Sequence, residues 1–268
     1  MHTIYEIIRT HIQYRRQLFK LAKSDLVRTY KGAAMGWLWA VIKPTITIAV
    51  YYFAFSIGLR VGRPVNGYPY FLWLISGIVP WFYITEVFVG STAAIRKYGY
   101  LVTKIRFPMC TIPTFVSMSH LVTNLFLVVI VMAIFASYGR MPDLYWLQLP
   151  LYILMMFLFF TAWSLFAGVL SVISKDFMQL VRSSTMALFW LSGIMYETKN
   201  VTNETMRAVL LFNPVTIIVN GFRNSFVNKV WFWECSTEMC NFFIAYVLMC
   251  LLTVLAYQRL HKHIPDLL

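Results

Sequence analysis

The stretch IPTFVSMSHLVTNLFLVVIVMAIFASY, Ile112–Tyr138, decides the fold class of this chain. It is 27 residues long and contains no Asp, Glu, Lys or Arg. A helix needs about 20 apolar residues to cross the bilayer core, where no water is present to satisfy exposed backbone groups. The stretch therefore predicts a membrane-spanning helix.

Five further segments have the composition of a membrane span or come close to it. They are Trp37–Leu59, Tyr70–Gly90, Leu149–Ile173, Phe177–Tyr196 and Asn241–Tyr257. The chain is 60% hydrophobic and 12% charged, whereas a soluble domain carries roughly a quarter charged residues. We therefore expect an all-α integral membrane protein, with residues 1–268 forming a single domain of six transmembrane helices.

The formal net charge of +13 would also suit a nucleic-acid binder. The cations, however, lie between or beside long apolar runs that a soluble basic domain would not contain. With the N-terminus inside, fifteen Lys and Arg residues fall on the cytoplasmic side and seven on the other, leaving out Lys43 within the first span. Because cytoplasmic loops are rich in Lys and Arg, we predict that both termini are cytoplasmic and that nucleic acid is not a partner.

Two segments flank the first two spans on the predicted cytoplasmic side. Residues 1–36 carry apolar residues near helical spacing with cations mostly elsewhere, which predicts an amphipathic helix at the inner membrane interface. Residues 91–111, the connector, contain RKYGYLVTKIRFP, Arg96–Pro108, with four cations and no acid. Cations alone would be explained by topology, but the aromatic and aliphatic residues, followed by Pro108 and Pro113, favour a shaped element that docks onto a partner.

The segment 197–240, between the fifth and sixth spans, is too long for a simple loop. Within it, Asn213 suits a helix N-cap and Pro214 suits the first helical position. An apolar stripe at helical spacing follows, and a shorter helix is predicted around Glu204–Phe212. We expect short extracellular helices that lie on the outer face or dip into the membrane.

The chain shows no pattern of an enzyme. It contains no GxSxG, HExxH or P-loop, and the Gly-Lys dipeptide that a P-loop requires is absent. We therefore predict no catalytic residue, no metal site and no bound cofactor. Two other classes of protein were considered. An ion-coupled carrier would need several acids that face one another within the membrane, and Glu86 is the main acid placed in a span. A membrane-embedded glycosyl- or acyltransferase would need a concentrated cluster of acids and histidines. Whether Cys235 and Cys240 pair is left open.

Aromatic residues make up 18% of the chain and crowd the first two spans. An interfacial belt and lipid-facing bulk explain many of them. The alternative is an aromatic-lined conduit, since sugar rings present apolar C–H faces that stack on aromatic rings. The candidates for its lining are Tyr51, Tyr52, Phe55, Trp73 and Trp81.

Four motifs occur in order along the chain. They are DLVRTYKGAAMGWLWAVIKP (Asp25–Pro44), GIVPWFYI (Gly77–Ile84), LVTKIRFPMCTIP (Leu101–Pro113) and LFNPVTIIVNGFRN (Leu211–Asn224). With six spans between them, the chain resembles the transmembrane subunit of type II ABC exporters of lipid-linked cell-surface polysaccharides. The stretches GIVPWF and KIRFPMCTIP look closest to the wall teichoic acid exporters, and O-antigen and capsule exporters are related competitors.

This resemblance implies a function and a set of partners. A lipid-linked polysaccharide would leave the cytoplasm across the bacterial plasma membrane, through a conduit formed with a second copy of the chain among membrane lipids. Two separate ATPase subunits would use ATP and magnesium. The connector would be the coupling helix that docks onto the ATPase through Tyr98, Leu101, Lys104, Arg106, Phe107 and Pro108. An outer gate would include Asn213, Pro214, Phe222 and Arg223.

Overall fold

The computed structural model describes residues 2–32, 34–58, 64–105, 107–261 and 264–268. Helices dominate these ranges, and the β-structure within them is a single bridge between Val65 and Tyr68. Arg106 of the connector and Leu59 at the end of the first predicted span lie outside the described residues. So do three further cations that, like Arg106, were counted for topology: Arg60, Arg63 and Lys262.

Thirteen helices, besides the short 3-10 helix Thr198–Asn200, follow one another along the described part of the chain. They are α1 His2–Gln13, α2 Arg15–Tyr30, α3 Gly36–Gly58, α4 Tyr70–Ser91, α5 Ala94–Lys97, α6 Gly99–Thr103, α7 Met109–Ser137, α8 Leu144–Ile173, α9 Lys175–Trp190, α10 Glu204–Phe212, α11 Pro214–Asn228, α12 Ser236–Leu260 and α13 Ile264–Leu267. Within the described ranges, α3, α4, α7, α8 and α12 are each long and apolar enough to cross a membrane. The predicted all-α multi-span class is confirmed.

The core of the bundle is built around α4. In its most apolar window 78% of the residues are buried inside the chain, against 11% for α3. Leu72, Ile78 and Ile84 are fully buried on it, and α7 and α11 pack against it. Helix α3, the first span, by contrast packs against the rest of the chain on one side only, and Ile46 and Val50 are exposed.

One end of the bundle gathers segments that are far apart in sequence. Ile7 of α1, Ile95 of α5, Met109 of α7 and Ile264 at the start of α13 share one apolar cluster. The N-terminal helices, the connector and α13 therefore lie together at what we call the connector end, and the opposite end is called the far end. That the connector end is cytoplasmic remains a prediction.

The fifth predicted span, Phe177–Tyr196, forms a shorter helix than expected. Helix α9 has 16 residues and is about 24 Å long at 1.5 Å per residue. It starts beside the connector end and stops at Trp190, after which the chain turns at Gly193 with φ of +63°, a conformation that favours glycine. The turn places Ser192 beside Asn213 at the far end, so α9 connects the two ends although it is not one of the five long spans.

The N-terminal segment forms two helices rather than the one predicted. The break falls at Tyr14, which separates α1 from α2. Helix α1 exposes Ile4, Ile8 and Ile12, and α2 packs along α7. Their position at the membrane interface stays a prediction.

Candidate functional site

The connector has a buried base. Tyr98, where α5 meets α6, is 4% exposed and Leu101 is 5% exposed. Both lie in one apolar cluster with Leu18 of α2 and Phe115 of α7, and the rings of Tyr98 and Phe115 meet edge to face at 5.0 Å. The base is therefore packed against two other helices of its own chain.

A polar clasp reinforces this packing. The Asp25 carboxylate of α2 accepts hydrogen bonds from the Tyr98 hydroxyl and, at 3.0 Å, from Lys97 Nζ. Burial acts to raise the pKa of Asp25, but the hydrogen bonds from Tyr98 and Lys97 outweigh it and hold the pKa below its ordinary value of 3.8. Burial and the bond to Asp25 raise the pKa of Tyr98, which keeps its hydroxyl protonated. The clasp thus pairs an ionised acid with two donors at neutral pH.

The connector is also held on its other side. Arg96 Nη2 donates to the Val172 carbonyl oxygen of α8 at 2.8 Å. Gly99 lies against the side chain of Leu268, which follows α13. Motion of the connector is therefore linked to α2, α7 and α8 together.

The tip of the connector is exposed. Tyr100 is 45% and Ile105 is 61% exposed, and Lys104 is exposed beside them. Phe107 is half-buried with its ring 5.5 Å from that of Tyr14, and Pro108 is also half-buried. Of the residues predicted to dock, Lys104 is open to a partner, whereas Tyr98 and Leu101 are covered by the chain itself.

Sequence reasoning missed Tyr100, Ile105 and Asp25. The shared orientation of Tyr98 and Leu101 could have been predicted from their spacing, since residues three apart face the same side of a helical segment. No local signal pointed to Asp25, which lies 73 residues before Tyr98.

Replacing Asp25 with asparagine should weaken the clasp. Loss of the charge-assisted hydrogen bonds at a buried site should cost about 1–3 kcal/mol at pH 7. Because the pKa of Asp25 is lowered in the folded chain, its stabilising effect is present above pH 3.8 and is lost as the pH falls through the lower folded value. The unfolding midpoint in mild detergent should therefore drop at pH 7, and the difference from wild type should disappear in acid.

The exposed Asp176 offers a matched control for this change. Asp176→Asn should lower the midpoint at pH 7 less than Asp25→Asn does, since an exposed acid in the first turn of α9 contributes about 0.3–1 kcal/mol. A gap between Asp25→Asn and wild type that stays constant from pH 7 into acid would contradict an ionised clasp.

At the far end, Asn213 joins two helices at an angle. Its side-chain oxygen accepts from the Val215 amide at 2.9 Å, and its amide group donates to Ser192 Oγ at 3.0 Å. Pro214 takes the first helical position of α11, as predicted. The axes of α10 and α11 meet at 86°, so the pair is a broken span or a re-entrant loop. Its role as a gate remains a prediction.

Arg223 of α11 is buried, with 2% of its surface exposed. Its Nη1 donates to the Gly193 carbonyl oxygen at 2.7 Å and its Nη2 to that of Ile194. The guanidinium carbon lies 3.7 Å from the centroid of the Trp73 ring, and Gly77 faces the same group. Phe222 beside it is fully buried. Phe222 and Arg223, both predicted as gate residues, therefore face the interior of the chain. Through its contacts, Arg223 connects the turn after α9 to α4.

The aromatic candidates for a conduit divide into two groups. Trp73 and Trp81 are buried, the first under Arg223 and the second with its ring 5.4 Å from that of Phe189. Tyr51, Tyr52 and Phe55 are half-buried on α3. In the chain by itself, this second group is the more exposed of the two.

Two questions left open by the sequence concern cysteines and Glu86. All four cysteines lie in the described part of the chain, and each is a free thiol, including Cys235 and Cys240. Glu86 at the connector end of the second span pairs with Lys43 of α3 at 2.7 Å.

Comparison with known protein families places this chain in a class. Residues 16–227 match the ABC-2 type transporter family, and the chain belongs to it. The predicted class, the membrane subunit of a type II ABC exporter, is thereby confirmed.

Particular relatives can be compared over most of their length. The chain is 25% identical over 221 residues to the O-antigen export system permease protein RfbA of Myxococcus xanthus, covering 82% of this chain and 84% of that protein. It is 26% identical over 218 residues to the protein of the same name from Klebsiella pneumoniae, covering 81% and 82%.

Proposed function

We propose that this chain is the membrane subunit of an exporter that moves a lipid-linked polysaccharide out of the bacterial cytoplasm, driven by two separate ATPase subunits. The observation that carries the proposal is the connector, which has a base fixed to three long helical elements and a tip that is free. A rigid projection of this kind suits transmission of motion from a partner. The connector end would then face the cytoplasm.

The tip would enter a cleft of the ATPase. Tyr100 and Ile105 supply apolar surface and Lys104 a cation, while Asp25 and Arg96 hold the base in place. When the ATPases close on ATP and magnesium, displacement of the tip would move α2, α7 and α8 together. A second copy of the chain would complete the conduit, and the exposed apolar residues of α3 and α9 supply surface for that copy or for lipid.

The relatives support an O-antigen type of polysaccharide as the substrate. The notable stretches GIVPWF and KIRFPMCTIP favour wall teichoic acid as a second candidate. Stimulation of the purified complex by each lipid-linked polymer separates the two. Turnover of lipid-linked sugars by this chain alone would instead favour a membrane-embedded transferase.

Replacing Ile105 with aspartate should remove the ATPase from the complex. The change puts a charge at the centre of the proposed contact, and truncating or charging such a site typically lowers affinity by about tenfold or more. Because Ile105 is 61% exposed, the chain should still fold. The measurement is the amount of ATPase that co-purifies with the tagged chain in mild detergent, together with its substrate-stimulated activity.

Met141 provides the matched control, since it is 70% exposed in the loop after α7 at the far end. Met141→Asp should retain the ATPase. If Ile105→Asp retains a fully coupled complex, the tip is not the docking site. If the wild-type chain exports polymer alone on a proton or sodium gradient, the proposal of an ATP-driven exporter is wrong.

A further inference from the structure

A groove with two adjoining parts runs between α3, α4 and α7. Its part near the connector end is a cavity of about 340 Å³, lined by polar and aromatic residues. Its second part, nearer the far end, is a cavity of about 350 Å³ with an almost entirely apolar lining. Pro44, Phe82 and Leu127 line both cavities, so the two parts of the groove adjoin.

The first part contains charges and unpaired polar atoms. Lys43 and Glu86 form their ion pair at its mouth, with 72% and 44% of their side chains exposed. Deeper inside, Asn124 and Tyr83 are each 2% exposed. Among the described residues, the Asn124 side-chain oxygen and the Tyr83 hydroxyl have no hydrogen-bond partner. Buried polar atoms are normally paired, so these two atoms point to a polar ligand group.

The second part has the shape and chemistry of a site for a hydrocarbon chain. Ile48, Val79 and Ile130 are among its lining residues, and none of its lining residues is charged. Glu86 lies eleven positions after Ile75 on α4, which is about 16 Å and roughly half of a 30 Å hydrocarbon core. The groove can therefore hold a chain from one leaflet with its head at the connector end.

The charge pattern selects the head group. Lys43 and Glu86 together are neutral and place one positive and one negative group side by side. A phosphoethanolamine head has the complementary pattern, with its phosphate toward Lys43 and its ammonium toward Glu86. An anionic head such as phosphoglycerol would match Lys43 only and would face the carboxylate.

We propose that this groove, which α3 forms with α4 and α7, is a binding site for one zwitterionic phospholipid, phosphatidylethanolamine. One of its two acyl chains lies between α3, α4 and α7, and its head is held by the Lys43–Glu86 pair with Asn124 and Tyr83 beneath. This lipid is a bound component of the chain, and the site does not depend on which polymer is exported.

The test uses the full-length protein reconstituted in vesicles of equal phosphatidylethanolamine and phosphatidylglycerol. After extraction in mild detergent, native mass spectrometry counts the phospholipids that stay bound. Ala49 lines the apolar part, and its neighbour Val50 is 58% exposed and does not. Ala49→Trp should lower retained phosphatidylethanolamine by about tenfold, whereas Val50→Trp should retain it as wild type does.

A second pair of variants tests the head site without filling the groove. Glu86→Gln should reduce the preference for phosphatidylethanolamine over phosphatidylglycerol, and the charge swap of Lys43→Glu with Glu86→Lys should restore it. Equal retention by Ala49→Trp and Val50→Trp overturns the proposal. So does a wild-type preference for phosphatidylglycerol, or recovery of a lipid-linked polymer in place of phosphatidylethanolamine.

Discussion

The Arg223→Leu variant is expected to lose about 3 kcal/mol of folding free energy. Each hydrogen bond from a charged group contributes about 1.5–3 kcal/mol, and a desolvated guanidinium over an aromatic ring adds about 2, offset in part by the cost of burying the cation. Leucine leaves the carbonyl groups of Gly193 and Ile194 without their donor and the Trp73 ring without its cation. The measurement is the thermal unfolding midpoint of the purified protein in mild detergent, which should fall well below that of wild type.

Two companion variants show whether the geometry of the Arg223 guanidinium or its positive charge is responsible for the stabilisation. Arg223→Lys should recover little stability, because an ammonium group is a point donor and cannot serve two carbonyl groups while stacked flat on a ring. Arg207→Leu on α10 removes an exposed arginine and should have no measurable effect. Full stability of Arg223→Lys would show that a positive charge suffices and that the fork of the guanidinium is not needed.

The Gly221→Ala variant is expected to be strongly destabilised as well. A Cβ atom at Gly221 of α11 would overlap the ring of Tyr152, which is fully buried in α8. Overpacking of a filled core typically costs about 1–3 kcal/mol, and more where neither partner can move. Since Tyr152 is held at 0% exposure, we expect the upper part of that range, seen as a reduced yield of monodisperse protein and a lower unfolding midpoint.

The reason for this loss can be tested by rescue. Tyr152→Leu removes the ring, so the double variant should be more stable than Gly221→Ala alone, a non-additive result expected only of residues in contact. Gly90 in α4 is the control, because a Cβ there would meet its nearest neighbour, Nε2 of His120, at an ordinary 3.5 Å. A destabilised Gly90→Ala variant would mean that helical glycines in this bundle are needed for another reason.

The long spans could be predicted because the bilayer imposes a length and a composition on them. The N-cap at Asn213 could be predicted because it depends on the residue itself and the amide two positions on. The end of α9 could not, since Leu191–Tyr196 is as apolar as a span, and the turn depends on Gly193 being held by Arg223.

The connector shows where sequence reasoning stops. Its composition indicated a shaped, docking element, but helices of four or five residues are too short for a clear amphipathic pattern. Which side faces inward was decided by α2 and α7, so Leu101 turned inward and Ile105 outward. Likewise, an arginine in an apolar stretch can reach toward water or be buried, and only tertiary packing around Trp73 shows that Arg223 is buried.

The corner at Asn213 has a mechanical consequence. One side chain caps the start of α11 and also grips Ser192, and Pro214 lacks the amide hydrogen that a continuous helix would use. The angle of 86° between α10 and α11 is thus fixed by Asn213 and Pro214 together with the contact to Ser192. Asn213 before α11 and Arg223 within it both bind the turn after α9, the first through Ser192 and the second through Gly193 and Ile194. Helix α11 and this turn are therefore held together as one unit.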